Sequence, residues 1–427
     1  MDNTNPRPPG EAGHTTNKPG PAAGAGYRPG AADGAEPTVR LASPGDVLAA
    51  VPRLLGFHPG SSLVVIGAGG LRQRVRFGCR YDLPDPPDTA TAAAIAEHAA
   101  GVLRRERLTT VIVVGYGPGR LVTPLADVLV PVLRRSGLTI REMLRAEDGR
   151  YWSYLCAEPG CCPPDGVPFD VSCHPVTAAM TVAGLSAYPD RATLERSLDP
   201  VTGQAAELMS AATQRAYDRA GELVAQAVKA GRGRAPAAAG ALSGRGSALA
   251  GPSGALALVA AEGKRAVREV IAAYRDGSAV TDDQLAWLAV TLTDLRVRDD
   301  AWARMDPEHN EAHLRLWTDL VRRSDPALVP GPAALLAFVA WQSGNGALAS
   351  IAVARALATD PGYSLALLLG EILTAGVPPS QARLPMTPEE VERSYERAGR
   401  KRAGNRSQAA QRRSAAPAGQ RRCRKAR

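Results

Sequence analysis

A change of texture across residues 151–180 limits what this chain can fold into more than any other feature. Before that segment, short Val- and Ile-rich runs bounded by Gly and Pro alternate with longer stretches whose apolar residues recur every three or four positions. After it, only the helical spacing persists. A sheet whose strands alternate with helices must be covered by those helices. The first part therefore predicts an α/β domain with a mixed sheet, two or three layers deep, and the second an all-helical domain.

Taken in order, residues 1–37 are rich in Gly, Pro and Ala with hardly a large apolar side chain. They cannot bury enough surface to offset the entropy of ordering, and read as disordered. The α/β domain spans 38–190 and ends in the Cys-rich loop 151–180. Ser43 and Pro44 predict a helix start, carrying Val47, Leu48, Val51, Leu54 and Leu55 and ending at Gly56. Strands are predicted at 62–66, 75–81 and 110–114, with the first two joined by a turn at 67–70. The third lacks alternation, as a strand buried on both faces does. Helices are expected at 91–107 and after Thr123 and Pro124, and two further strands at 138–145 and 150–156. A helical segment covers 191–229, and 230–254 is a Gly/Ala/Arg linker. An all-helical domain fills 255–385, with Thr281 and Gln284 marking a capping box. Residues 386–427 form a basic, disordered tail.

Charge localises in that tail. The chain carries a formal net charge of +9, and residues 398–427 contain eleven Lys or Arg and no acid, which leaves the remainder at −2. A near-neutral body with a basic tail suits sequence-independent contact with nucleic acid through the tail, and equally a solubilising role. No run of eighteen apolar residues occurs, so no membrane contact is expected. The opening MDNTNPRPPG has no apolar signal region, which predicts a cytoplasmic chain with reduced thiols.

In the helical part, Gly344, Ala349, Ala356, Leu357 and Pro361 match the helix–turn–helix of tetratricopeptide repeats, although Ala333 and Ala340 stand where bulky side chains are usual. No second copy at a fixed period accompanies them. Five phrases together resemble an actinobacterial family, domain of unknown function 4192: DVLAAVPRLLGFHPGSS from Asp46, RYDLP from Arg80, CCPPDG from Cys161, VRD from Val297 and AWQSGNGALASIAVARALATDPGY from Ala340. The resemblance covers about residues 42–385. It implies a bacterial cytoplasmic protein and brings no catalytic residues to carry over.

Candidate sites follow from local chemistry. Cys156, Cys161, Cys162, Cys173 and His174 offer sulfur and imidazole ligands to zinc from a Pro- and Gly-rich loop, although neither half of the set is a Cys-x-x-Cys. The same cysteines could also be a redox pair, or ordinary small buried or loop side chains, the reading that such residues most often meet. Gly115, Gly117 and Gly119 follow a strand and precede a helix, so their amides could anchor a phosphate; Pro118 removes one donor and no Walker lysine follows. His309 and His313 share one helix face and read as surface residues. Asp82, Asp85 and Asp88 read as a solvated loop, and Trp287, Trp302, Trp317 and Trp341 as helical core.

No complete catalytic constellation is present. The residues favour a non-enzymatic interaction or regulatory protein that meets a protein partner through its helical half and holds a zinc in the cysteine loop. Two alternatives stay open: an enzyme binding a phosphorylated or nucleotide ligand at Gly115, Gly117 and Gly119, and a nucleic-acid-associated protein acting through the tail.

Overall fold

The structure, a computed structural model, describes residues 39–70, 74–232, 252–381 and 387–398. The segment 1–37, most of the 230–254 linker and the tail beyond residue 398 lie outside these residues.

The α/β part is a six-stranded mixed sheet between helices. Its strands are β1 (Ser62–Gly69), β2 (Arg74–Asp82), β3 (Thr110–Tyr116), β4 (Thr139–Glu147), β5 (Arg150–Ser153) and β6 (Val167–Pro168), and its helices are α1 (Pro44–Leu55), α2 (Thr89–Arg105), α3 (Gly119–Arg135) and α4 (Pro175–Val182). The order across the sheet is β2-β1-β3-β4-β5-β6. Only β3 and β4, joined through α3, run parallel; the other neighbours are antiparallel. Consecutive side chains of a strand point to opposite faces. Leu63, Val65, Val111 and Val113 therefore meet Ile95, Leu103, Leu125 and Leu129 of α2 and α3 on one side. Val64, Ile66, Ile112 and Val114 meet Val47, Leu48 and Val51 of α1 on the other. The result is three layers, with α4 packed outside α1.

Local signals placed most of these elements. Ser43 and Asp46 close a reciprocal capping box on α1, and Gly56 ends that helix at φ 80°. The strands at 62 and 75 form the expected hairpin, but β1 runs on to Gly69, so the turn begins at Gly70. Helix α3 begins at Gly119, ahead of the expected start at Thr123 and Pro124, with Pro118 at its N-cap and both Pro124 and Pro131 inside it.

The helical part runs through α5 (Arg191–Arg196), α6 (Gln204–Arg232), α7 (Pro252–Asp276), α8 (Asp282–Thr291), α9 (Leu295–Ala303), α10 (Asn310–Arg323), α11 (Pro330–Gln342), α12 (Gly346–Thr359) and α13 (Ser364–Thr374). Helix α11 is buried from Pro330 to Trp341 on every side and is the axis of this half. With α12 it makes the helix–turn–helix expected at Gly344, which turns at φ 78°. Trp287, Trp317 and Trp341 are buried in the core, with Trp302 packed against it. The tail expected from residue 386 begins with a helix over 388–398. Thr387 and Glu390 cap it reciprocally, and Tyr395 donates to Asp299 Oδ2 at 2.5 Å.

The two halves pack against each other. Phe57, from the turn after α1, is 1% exposed and belongs to the core of the helical half. Beside it, Gly56 and His58 exchange backbone hydrogen bonds at 2.8 and 2.9 Å with Tyr188, in the segment that leads into α5. On the other side, α2 closes the C-terminus of α13. His98 Nε2 donates to Thr374 O at 3.0 Å, and Arg105 Nη2 to Ala375 O at 2.7 Å. A helix end leaves such carbonyls without partners, and a cation there suits the helix dipole. The chain then turns at Gly376 (φ 63°), where a Cβ would come within 2.8 Å of Val102 Cγ2, so glycine alone fits.

Candidate functional site

Three of the five proposed zinc ligands come together. One ligand sulfur each from Cys156, Cys161 and Cys162 lies within 4.8 Å of the other two. The loop that carries them is held from β5: Trp152 Nε1 donates to Pro164 O at 2.9 Å, and Arg150 Nη1 to Asp165 O and Gly166 O at 3.1 and 2.9 Å. Gly166 sits at φ 77° against the Trp152 ring, where a Cβ would come within 2.6 Å. The backbone N–H of Glu158, aided by the neighbouring thiols, holds Cys156 below the usual thiol range. Burial and the two other thiols push Cys162 up to about 12.

Cys173 and His174 stand apart from this group. Cys173 is exposed beside Ser172. His174 is the N-cap of α4: its Nδ1 accepts from Val176 N–H at 3.2 Å, and its Nε2 lies 3.6 Å from Asp46 of α1. Its ring thus fastens α4 to the start of α1.

The glycine loop has the expected strand–loop–helix form, with its hydrogen bonds directed inward. Gly117 N–H donates to Ala146 O at 3.0 Å, and the Leu121 and Val122 amides return to Pro118 O. A Cβ on Gly119 would fall 2.0 Å from Arg145 Nη1, so that guanidinium, stacked 3.6 Å over the Trp152 ring, occupies the space before α3. A Cβ on Gly115 would fall 2.4 Å from Val122 Cγ1, which makes this glycine the close contact between β3 and α3.

The remaining candidates disperse. Asp85 pairs with Arg120 through two bonds of 3.0 and 3.2 Å, Asp88 caps α2, and Asp82 pairs with Arg80. His309 bonds to Asp306 at 3.0 Å and to Arg275 at 3.1 Å. His313 is not a surface residue: it is 1% exposed, because α10 turns that face toward the core.

Sequence reasoning missed a cleft of about 690 Å³ between the two halves. One wall is edge strand β2 with α2 and the end of α1, giving Leu55, Phe57, Phe77, Tyr81 and Ile95; the other is α11 to α13, giving Trp341, Ala347, Leu373 and Val377. A second cavity of about 210 Å³ continues it over Val51, Val64 and Ile66. The lining is mostly apolar, with Cys79, Arg80, Tyr81, His98, Arg191 and Ser350 among its polar groups. Several of these are already joined. Thr374 O can only accept, so His98 Nε2 carries the proton and its Nδ1 accepts from Tyr81 O–H at 2.8 Å, while Cys79 S–H donates to the Tyr81 oxygen at 3.4 Å. Burial pushes the Cys79 thiol up to about 12 and raises the Tyr81 phenol as well. Arg80 Nε donates to Ser62 Oγ at 2.7 Å.

The profile of a family described as Domain of unknown function (DUF4192) matches residues 44–380, most of the chain. The chain belongs to this family. No curated protein and no solved structure matches it. In this DUF4192 chain the matched span takes in both the thiol loop and every wall of the cleft. The phrases from Asp46, Arg80 and Ala340 that carried the resemblance supply cleft residues Leu55, Phe57, Arg80, Tyr81, Trp341 and Ala347. Nothing local in those phrases marks a cleft, because its walls come from opposite ends of the matched span. Among the described residues no helix is long and apolar enough to cross a membrane.

Proposed function

We propose that this chain is a non-enzymatic regulatory protein whose cleft binds a small, largely apolar molecule and whose helical half presents the result to a protein partner. The observation that carries this reading is the 690 Å³ cleft walled by residues of both halves. That volume lies within the range of about 300–1,000 Å³ typical of small-molecule sites, and the mix of apolar walls with a few polar groups is what such sites use. A ligand there touches β2 and α2 on one side and α11 to α13 on the other, so its binding biases how the halves sit. The state of the polar groups favours binding over chemistry. Cys79, Tyr81 and His98 form a chain that ends on a backbone carbonyl, and burial keeps the thiol protonated. No activated nucleophile or free base faces the cleft among the described residues.

The nucleotide reading at Gly115, Gly117 and Gly119 finds less support, because the Gly117 amide is bonded to Ala146 and Arg145 stands against Gly119. Nucleic-acid contact through the tail falls on residues outside those described.

A thermal-shift screen of amphipathic small molecules and nucleotides tests the proposal. Ligand bound only to the folded state raises the melting temperature, by an amount equivalent to about 2.7 kcal/mol at a hundredfold excess over Kd. Ala94 lines the cleft and is exposed. The expected result is a shift with an apolar ligand that Ala94→Trp abolishes by filling the cleft. A shift with nucleotides alone, unaffected by Ala94→Trp, would refute it.

A further inference from the structure

The thiol loop stands apart from the cleft and calls for its own account. Three sulfurs within 4.8 Å of one another are close to what one metal requires. With a metal–sulfur bond of about 2.3 Å, two thiolates on a tetrahedral centre stand about 3.8 Å apart, so each pair needs to close by at most about 1 Å. Side chains ordinarily adjust by that much.

The surroundings are organised for the same purpose. Arg150 and Trp152 fix the loop's backbone at Pro164, Asp165 and Gly166 from a strand of the sheet, so the geometry does not depend on the loop alone. The Cys161 and Cys162 amides both donate to Glu158 O, at 3.0 and 2.7 Å, which folds the chain back and brings these two thiols toward Cys156.

We propose that Cys156, Cys161 and Cys162 bind one thiophilic cation of the zinc class through three thiolates, with the fourth coordination position open to solvent. Cys161 is exposed, so the ion reaches the site without opening the fold. Cys173 does not supply the fourth ligand, since it lies outside the group. His174 does not either, because both ring nitrogens are engaged at the start of α4 and with Asp46. A closed structural zinc site has four protein ligands; three with an open position leave room for an exogenous donor. Binding displaces three thiol protons and changes no oxidation state.

The test uses the full chain purified in reductant. Zinc is measured by elemental mass spectrometry after dialysis, and cobalt is titrated into the apo protein to read the thiolate-to-metal charge-transfer band, whose intensity counts thiolates. The expected result is about one zinc per chain and a three-thiolate cobalt spectrum. Cys156→Ser and the double variant C161S/C162S should lose zinc, and Cys173→Ser should retain it. Far-UV circular dichroism of each variant separates loss of ligand from loss of fold, and the wild-type cobalt spectrum stands without any variant. Absence of bound metal with all thiols titrating freely overturns the proposal. So does a disulfide within the trio that persists as the ground state, or equal zinc loss from Cys173→Ser.

Discussion

Acidification from pH 7.5 to 5.0 should destabilise this protein through one buried imidazole. His313 lies on the inner face of α10 and is 1% exposed. Its Nε2 accepts the Asp306 N–H at 3.4 Å, so Nδ1 carries the proton, and Nδ1 is buried with no hydrogen-bond partner. Burial, reinforced by Arg275 and His309 and opposed by Asp306, lowers its pKa from the usual 6.5 to about 4. The unfolded chain thus binds this proton at a higher pH than the folded one. The stabilisation is complete above pH 6.5 and is lost as pH falls toward 4. Linkage across a shift of that size gives about 2 kcal/mol lost by pH 5.0 and about 3 in full, at about 1.4 kcal/mol per unit. Urea unfolding of wild type and His313→Gln at both pH values isolates the effect. The Gln side chain keeps an acceptor for the Asp306 amide and does not titrate. Wild type should lose about 2 kcal/mol more than the variant over this window. Equal losses in the two proteins would refute the argument and mean that the imidazole gains solvent or a partner when charged.

Two further outcomes follow from close contacts. Gly115→Ala places a methyl 2.4 Å from Val122 Cγ1 and forces α3 off the sheet, so urea unfolding should show a loss of about 1–3 kcal/mol. No loss would return Gly115 to the role of a loop glycine. His98→Leu removes the donor to Thr374 O and the acceptor of Tyr81 O–H, and should cost about 1 kcal/mol. In a double-mutant cycle with Tyr81→Phe, the two losses should couple by more than about 0.5 kcal/mol; strict additivity would show that the chain between the halves is not a unit.

Much of the fold was legible because its determinants are near neighbours. Ser43 with Asp46 and Thr281 with Gln284 cap helices within a single turn, and the uninterrupted apolar run of β3 reports burial on both faces. The helix at 388–398 was missed: Thr387, Pro388 and Glu390 carry a capping signal, but the basic composition that follows reads as disorder from residue 386. The candidate site was only half legible. Composition nominated five ligands from one loop, and the backbone between them selects three, because the turn at Glu158 folds Cys161 and Cys162 toward Cys156 while His174 is drawn off to cap α4.

By itself the sequence determined the α/β character of the layered first half, the helical second half and the apolar stripes of the elements it marked. These depend on periodicity and caps, which act over a few residues. Tertiary structure alone decided the burial of His313, the Gly115–Val122 contact, the Tyr81–His98–Thr374 chain and the cleft itself. The bond from His98 to Thr374 spans 276 residues of chain, and no local pattern records which distant surface a strand edge will face. That choice is made when Phe57 and α2 pack against the helical half and leave a space between it and β2.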